Sequence, residues 1–318
     1  MLSVQQQKIA TYFNNAVASD SVRHAYIISG QAGMGKKHLS RKLRHYFACN
    51  TNSACGVCPG CKSDSAGANP DVVCLSNSEK KPYKIDEIRE LIKRVYERPM
   101  HGKYKLIVIE DAHLLDERCQ NALLKAIEEP PSYAVFIFLC DNISTVLQTI
   151  MSRVMVIELL PWKKSELEAA YPLPESDRYL YDYCMGNIGR LISICDDEDF
   201  KGARDCAVSV LSKVLGNGTY AVYEATEEFT KRKEHIPEML SVLTLFMRDV
   251  VFLKKGLADN ILNSDKSVEI RLLSDSLTSA QALEIAEILG RETSYIRHNE
   301  NMAMQIQTMF MKIKQIRQ

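Results

Sequence analysis

No stretch of the 318-residue chain stays apolar for anything near the ~20 residues that a helix needs to cross a bilayer, which excludes a helical membrane protein. No basic segment followed by an apolar one opens the sequence, so no secretory leader is read there and the expected location is the cytoplasm. Excess charge is missing as well. Forty Lys and Arg against 40 Asp and Glu leave a formal net charge of zero, so the chain lacks the broad basic footprint of an autonomous nucleic-acid binder. Any contact with DNA must therefore be local or shared with partners. Internal repeats and low-complexity tracts are also absent. What remains is a globular composition, 46% hydrophobic and 25% charged, and a length that suits about two domains, or three small ones.

One further absence falls inside a motif. An apolar strand, Ile27-Ile28-Ser29, runs into Gly30-Gln31-Ala32-Gly33-Met34-Gly35-Lys36 and then a helical stretch. This reads G-x-x-x-x-G-K in the strand-turn-helix context of a P-loop, where glycines let backbone N–H groups close around phosphates and the lysine reaches the outer ones. The Ser or Thr that should follow, and that holds Mg²⁺, is replaced by Lys37. An ammonium only donates hydrogen bonds, so it cannot ligate the metal and would repel it. The anion cradle is present and the metal site is spoiled.

Ten cysteines without a secretion signal argue for reduced thiols. Four of them, Cys49, Cys55, Cys58 and Cys61, follow the spacing C-x5-C-x2-C-x2-C, with Gly56, Pro59 and Gly60 permitting tight turns between them. This pattern points to one tetrahedral Zn²⁺, structural because four sulfurs leave no open coordination position. Cys74, Cys119, Cys140, Cys184, Cys195 and Cys206 read as small buried hydrophobes.

In chain order, Ile9, Tyr12, Phe13, Ala16 and Val17 predict an amphipathic first helix. His24, a lone imidazole beside a strand, reads as structural rather than as a ligand or base. After the cysteines, "NPDVVCL" predicts a strand. The segment "KIDEIRELIKRVYERP" predicts a helix with Ile85, Ile88, Leu91, Ile92, Val95 and Tyr96 on one face. The apolar run 106–109 suits a strand buried on both faces that delivers Glu110 and Asp111 to its carboxyl end, where open α/β sheets place ligands. Such acids hold Mg²⁺ in a P-loop ATPase, although Asp111 equally fits a helix cap. A helix stopped by Pro130-Pro131, a strand over 135–139 and a strand over 154–159 complete an alternation that predicts a parallel sheet. By periodicity alone, Arg153 is a solvated surface arginine. Beyond Trp162 the strands cease: short helical patterns surround Gly186 and Gly189, and from Phe200 the chain reads helical, with breaks at 216–219, 263–267 and 292–295.

Taken together and in this order, "HAYIISGQAGMGK", the cysteine insertion followed by "NPDVV", "KLIVIEDAHLL", "NALLKAIEEPP" and "TIMSRV" resemble the bacterial clamp-loader subunits of the AAA+ class, nearest the delta-prime branch of DNA polymerase III and next to gamma/tau. The resemblance covers the first ~160 residues and continues more loosely through "GNIGRL". It implies an AAA+ P-loop domain at 1–160 with a zinc insertion at 49–61, a helical lid at 161–199 and an all-α collar at 200–318. The implied assembly is a heteropentamer with gamma/tau and delta subunits that loads the sliding clamp onto primed DNA, with no membrane involved. The family's zinc cysteines fall on Cys49, Cys55, Cys58 and Cys61. Its Ser-Arg-Cys motif falls on Ser152-Arg153-Val154, which makes Arg153 an arginine finger reaching a neighbour's ATP. Departures from the family pattern are Lys37, Cys140-Asp141 where motor subunits carry threonines, and Asn69 in place of His; Arg190 lies near the lid arginine that senses nucleotide. The degenerate nucleotide site would then comprise Gly30, Gly33, Gly35, Lys36, Lys37, Glu110 and Asp111, with ATP binding left open. The expected function is a non-catalytic clamp-loader subunit; the alternative is an active AAA+ ATPase, as motor subunit or stand-alone switch. An independent zinc-finger DNA binder is disfavoured because no basic recognition helix follows the cysteines.

Overall fold

A computed structural model describes residues 1–51, 54–76, 81–216, 218, 220–295 and 302–317, with backbone alone for 293–295. Positions 52–53 of the cysteine segment and 217 and 219 of the expected break lie outside the described residues. The chain divides into two compact units, 1–170 with 186–190, and 171–185 with 191–318.

The first unit is built on five parallel strands: β1 (Ala25–Ser29), β2 (Val72–Leu75), β3 (Lys105–Ile109), β4 (Ala134–Cys140) and β5 (Met155–Glu158), in the order β2-β3-β4-β1-β5. Helix α1 (Val4–Ala18) precedes β1, α2 (Lys36–Ala48), α3 (Pro59–Ser65), α4 (Ile85–Val95), α5 (Glu117–Glu128) and α6 (Gln148–Met151) run between the strands, and α7 (Lys164–Ala170) follows β5. Every residue of β1, β3 and β4 is buried, as the continuous apolar runs require of strands covered on both faces. Alternation divides them between two cores. Ala25, Ile27, Ile107, Ile109, Phe136 and Phe138 pack with Ile88, Leu91, Leu123 and Ile127. Tyr26, Ile28, Leu106, Val108, Val135 and Ile137 pack with Phe13, Leu39, Leu43 and Phe47.

Two aromatic residues expected on apolar faces lie in solvent. Tyr96, the C-cap of α4 with helical dihedrals, is exposed because it falls on the rim of the apolar stripe at the end of the helix. Tyr12 is exposed at the edge of its stripe, with its ring edge-on to buried Phe13. Cys74 is exposed rather than buried, since β2 is an edge strand whose burial fades toward its end.

Asp71, just before β2, is buried, and its carboxylate accepts hydrogen bonds from the backbone N–H groups of Met100 at 2.6 Å, His101 at 2.7 Å and Gly102 at 3.0 Å. It therefore pins the loop that leads into β3.

The second unit contains α8 (Tyr179–Tyr183), the latter part of α9 (Ile188–Asp196), α10 (Phe200–Val214), α11 (Ala221–Thr230), α12 (Ile236–Lys254), α13 (Ser267–Ser276), α14 (Ser279–Tyr295) and α15 (Met302–Arg317). The expected breaks near 216–219 and 263–267 separate helices; the one at 292–295 does not occur, because α14 runs through to Tyr295. Thr and Ser are only weak helix formers, and neither stops a helix as Pro does. Inside this unit the buried Arg204 guanidinium reaches Asp265 Oδ2 at 2.6 Å and Asn263 Oδ1 at 2.8 Å and lies 4.3 Å from the Tyr179 ring. Asp249, fully buried, accepts from Leu262 N, Asn263 N and Asn263 Nδ2.

Asp71→Ala removes the buried acceptor shared by three backbone N–H groups and should cost roughly 2 kcal/mol. Urea denaturation of the full chain, with a lowered midpoint, is the measurement that checks it.

Candidate functional site

The carboxyl ends of β1, β3 and β4 lie side by side in the sheet, and the segments leaving them bring Lys36, Lys37, Glu110, Asp111 and Asp141 together. Lys36 is only 6% exposed, and its Nζ donates to Gly30 O at 2.5 Å and Gln31 O at 2.8 Å and pairs with Asp141 Oδ1 at 2.6 Å. The lysine expected to reach phosphate is thus bonded to its own loop and to the β4 end. Lys37 Nζ lies 3.0 Å from Glu110 Oε2 and 2.9 Å from Asp111 Oδ2. Burial works to lower the Lys37 pKa, but the hydrogen bonds to Asp111 and Glu110 outweigh it and hold the group above the ordinary lysine value. Asp111 makes no side-chain cap to the short helix that follows it, so the capping alternative does not hold. Asp116 is the residue that caps a helix here, accepting from Cys119 N at 2.7 Å.

The loop itself is clamped. Asn187 Nδ2 donates to Ala32 O at 2.7 Å, Gly189 N to Gly33 O at 2.9 Å, and Gln6 Nε2 to Met34 O at 2.8 Å. Gly33, at φ +87°, has no room for a side chain: a Cβ there would stand 2.3 Å from Asn187 Oδ1. Sequence reasoning missed Gln6 and Asn187, and noted Asp141 only as a departure from threonine. Gly186 and Gly189 read in the sequence only as punctuation, yet a Cβ on Gly189 would stand 2.5 Å from Gly33 Cα, which is the signal that another segment approaches closely. Arg190 follows the clamp, its backbone N–H donating to Asn187 Oδ1 at 3.0 Å.

Arg153 stands apart from this cluster. It is 39% exposed on a surface recess shared with Arg23, His24, Glu128, Glu129 and Ser152. Its guanidinium pairs with Glu128 Oε1 at 2.9 Å and donates to Thr149 O at 2.8 Å and Ser152 Oγ at 2.9 Å. His24, read above as structural, is exposed on that rim.

The four clustered cysteines do converge. Their sulfurs lie within 4.8 Å of one another, with Cys49 Sγ 3.6 Å from Cys55 Sγ and 4.0 Å from Cys58 Sγ. A tetrahedron with Zn–S near 2.3 Å has edges of about 3.8 Å, so the spacing suits such an ion. Backbone N–H groups of Cys55 and Cys61 point at Cys49 Sγ and Cys58 Sγ, both at 3.4 Å. N–H groups of Val57 and Cys58 hold the Cys55 pKa below the ordinary thiol value, while burial pushes Cys61 up to about 12. Gly60 is required by a close approach: a Cβ would lie 2.0 Å from Ala48 O. Asn69 closes the turn by donating to Gly60 O at 3.1 Å, and Arg44 joins α2 to α3 through Asp64 Oδ1 at 2.8 Å.

A family model described as DNA polymerase III, delta subunit matches residues 5–163, half of the chain. The chain belongs to this clamp-loader subunit family of DNA polymerase III. Relatives of the clamp-loader family member include the tau/gamma subunit of Haemophilus influenzae, 28% identical over 67% of this chain and 33% of its own length. Another is the gamma subunit of Buchnera aphidicola from Acyrthosiphon pisum, 30% identical over 49% of this chain and 44% of its own. The chain spans less than half the length of these curated relatives. A DNA polymerase III gamma subunit-related protein from Thermotoga maritima superposes with a TM-score of 0.52 at 19% identity, covering 99% of this chain and 100% of its own, and so shares the fold. The parallel sheet and helical remainder fit an AAA+ clamp-loader member, and among the described residues no helix is long and apolar enough to cross a membrane.

Gly60→Ala should force α3 away from the end of α2, costing on the order of 2 kcal/mol. Buried Cys49 and Cys61 should then label faster with a thiol reagent than in the unaltered chain, as read by mass spectrometry of the labelled protein.

Proposed function

We propose that this chain is a non-catalytic, delta-prime-like subunit of the clamp loader, which lends Arg153 to the ATP site of a gamma/tau neighbour during loading of the sliding clamp onto primed DNA. The observation that carries the reading is the engagement of Lys36 with Gly30 O, Gln31 O and Asp141, in a loop whose next residue offers no hydroxyl to a metal. A P-loop lysine held by its own loop, beside a position that cannot bind Mg²⁺, does not assemble the phosphoryl-transfer machinery. The resemblance assigns the lid to 161–199 and the collar to 200–318, and gives the heteropentamer with delta and gamma/tau as partners. The exposure of Arg153 supports its role, since a guanidinium that serves a neighbour must lie on the surface. A second reading, an active AAA+ motor, draws on the gamma and tau names of the relatives.

In the finger role, the planar fork of Arg153 would stabilise charge that develops on the transferred phosphoryl group. Arginine fingers supplied in trans are worth roughly 10³ to 10⁵ in rate at one site, against about 0.5 kcal/mol of stability for a solvated arginine. Arg153→Ala should leave folding and ring assembly intact while lowering the DNA- and clamp-stimulated ATPase of the reconstituted complex, and Arg153→Lys should restore little. Equal ATPase in complexes containing wild-type or Arg153→Ala subunit would end this assignment. Hydrolysis of Mg²⁺-ATP by the isolated chain at a motor's rate, abolished by Lys36→Ala, would establish the second reading.

The tetrathiol cluster is proposed to hold one structural Zn²⁺ on Cys49, Cys55, Cys58 and Cys61. Such sites contribute about 10 kcal/mol or more of apparent binding free energy. Metal analysis of protein purified without chelator should return one zinc per chain, and Cys61→Ser should lose it together with the order of α3.

A further inference from the structure

In a working P-loop ATPase, Mg²⁺ is held by the hydroxyl that follows the P-loop lysine and is supported by acids at the end of a neighbouring strand. The residues here do not fit that ion. Lys37 Nζ reaches both Glu110 Oε2 and Asp111 Oδ2, at 3.0 and 2.9 Å, close to the lengths of charge-assisted N⁺–H···O⁻ bonds. Lys36 Nζ neutralises the remaining carboxylate, Asp141, at 2.6 Å. Two ammonium groups thus face three carboxylates, and they reach them from the first two residues of α2.

We propose that Lys37 is a resident counter-ion that stands in for the divalent metal, tying the start of α2 to the end of β3 and making the site indifferent to Mg²⁺. Two observations support this beyond the distances. Glu110 and Asp111 are only 17% and 14% exposed, so their adjacent charges are poorly screened by water and need a cation close by. Asp111 also sits in the left-handed region, at φ +49°, a turn conformation that Asp adopts more readily than most residues with a side chain. That turn presents its carboxylate to Lys37 Nζ at 2.9 Å. A divalent ion entering between the same carboxylates would meet an ammonium at hydrogen-bond distance, and to bind there it would have to break both of that ammonium's ion pairs.

The inference concerns the isolated chain and is independent of Arg153, so its failure and that of the proposed function are read in different assays. The experiment compares the zinc-loaded full chain with Lys37→Thr, Lys37→Met and Lys37→Thr/Asp111→Asn. Thermal melts are recorded without metal, with Mg²⁺ and with Mn²⁺, and bound Mn²⁺ is counted by electron paramagnetic resonance. The unaltered chain should melt at one temperature under all three conditions. Lys37→Thr and Lys37→Met should both melt lower without metal; Mg²⁺ or Mn²⁺ should restore Lys37→Thr alone, which should bind Mn²⁺ at least about tenfold more tightly than the unaltered chain. The double variant should lose that gain. Lys37→Met melting with the unaltered chain would overturn the proposal, as would a metal-free Lys37→Thr doing so or failing to respond to either ion. Mn²⁺ bound by the unaltered chain in an Asp111-dependent manner would overturn it as well. Lys37→Met and the Mn²⁺ titration of the unaltered chain keep the test decisive if Lys37→Thr does not fold without metal.

Discussion

A parallel strand covered on both faces has only its ends free for chemistry, and the first unit follows from that constraint. β1, β3 and β4 are buried throughout and commit their side chains alternately to the two cores, so nothing reactive can stand along them. The polar groups collect where the strands stop. Gly30 to Lys37, Glu110-Asp111 and Asp141 come from three separate stretches of chain, and they meet because the order β3-β4-β1 makes those ends adjacent. Burial of the sheet is therefore what assembles the charged cluster.

That cluster departs from ligand-binding geometry in a self-consistent way. A nucleotide site ordinarily keeps its cations available for an incoming anion. Here the two lysines are matched to protein carboxylates and loop carbonyls, while Gln6, Asn187 and Gly189 occupy the loop's own carbonyls. A poorly exposed ammonium such as Lys36 is tolerable only with such partners. Both lysines and three of the loop's carbonyls are thus satisfied from within the protein.

The parts legible in the sequence were those written locally. Strand runs such as 106–109, the spacing of Cys49, Cys55, Cys58 and Cys61, and the Gly30 to Lys36 loop each fall within a dozen or so residues, where periodicity and turn chemistry apply directly. The partners of those residues were not legible, because they arrive from afar: Asp111 is 74 residues from Lys37, and Asn187 is 155 from Ala32. Nothing in a residue's type encodes such a distance; only the packed sheet supplies it. Tyr96 shows the complementary error at short range. The apolar period was right, but it fixes only the direction of a side chain and not whether anything covers the helix's last turn.

Helix α2 begins with Lys36 and ends at Ala48, beside Cys49, so one rod of about 20 Å carries the ammonium-bound joint at its first turn and the thiol knot at its last. The rod is thereby held at both ends by ion pairs, those of Lys36 and Lys37 at the first turn and that of Arg44 with Asp64 toward the last, where the four thiols also gather. Thiol chemistry can therefore reach only the second end, leaving the first turn seated, whereas concentrated salt weakens exposed ion pairs at either end.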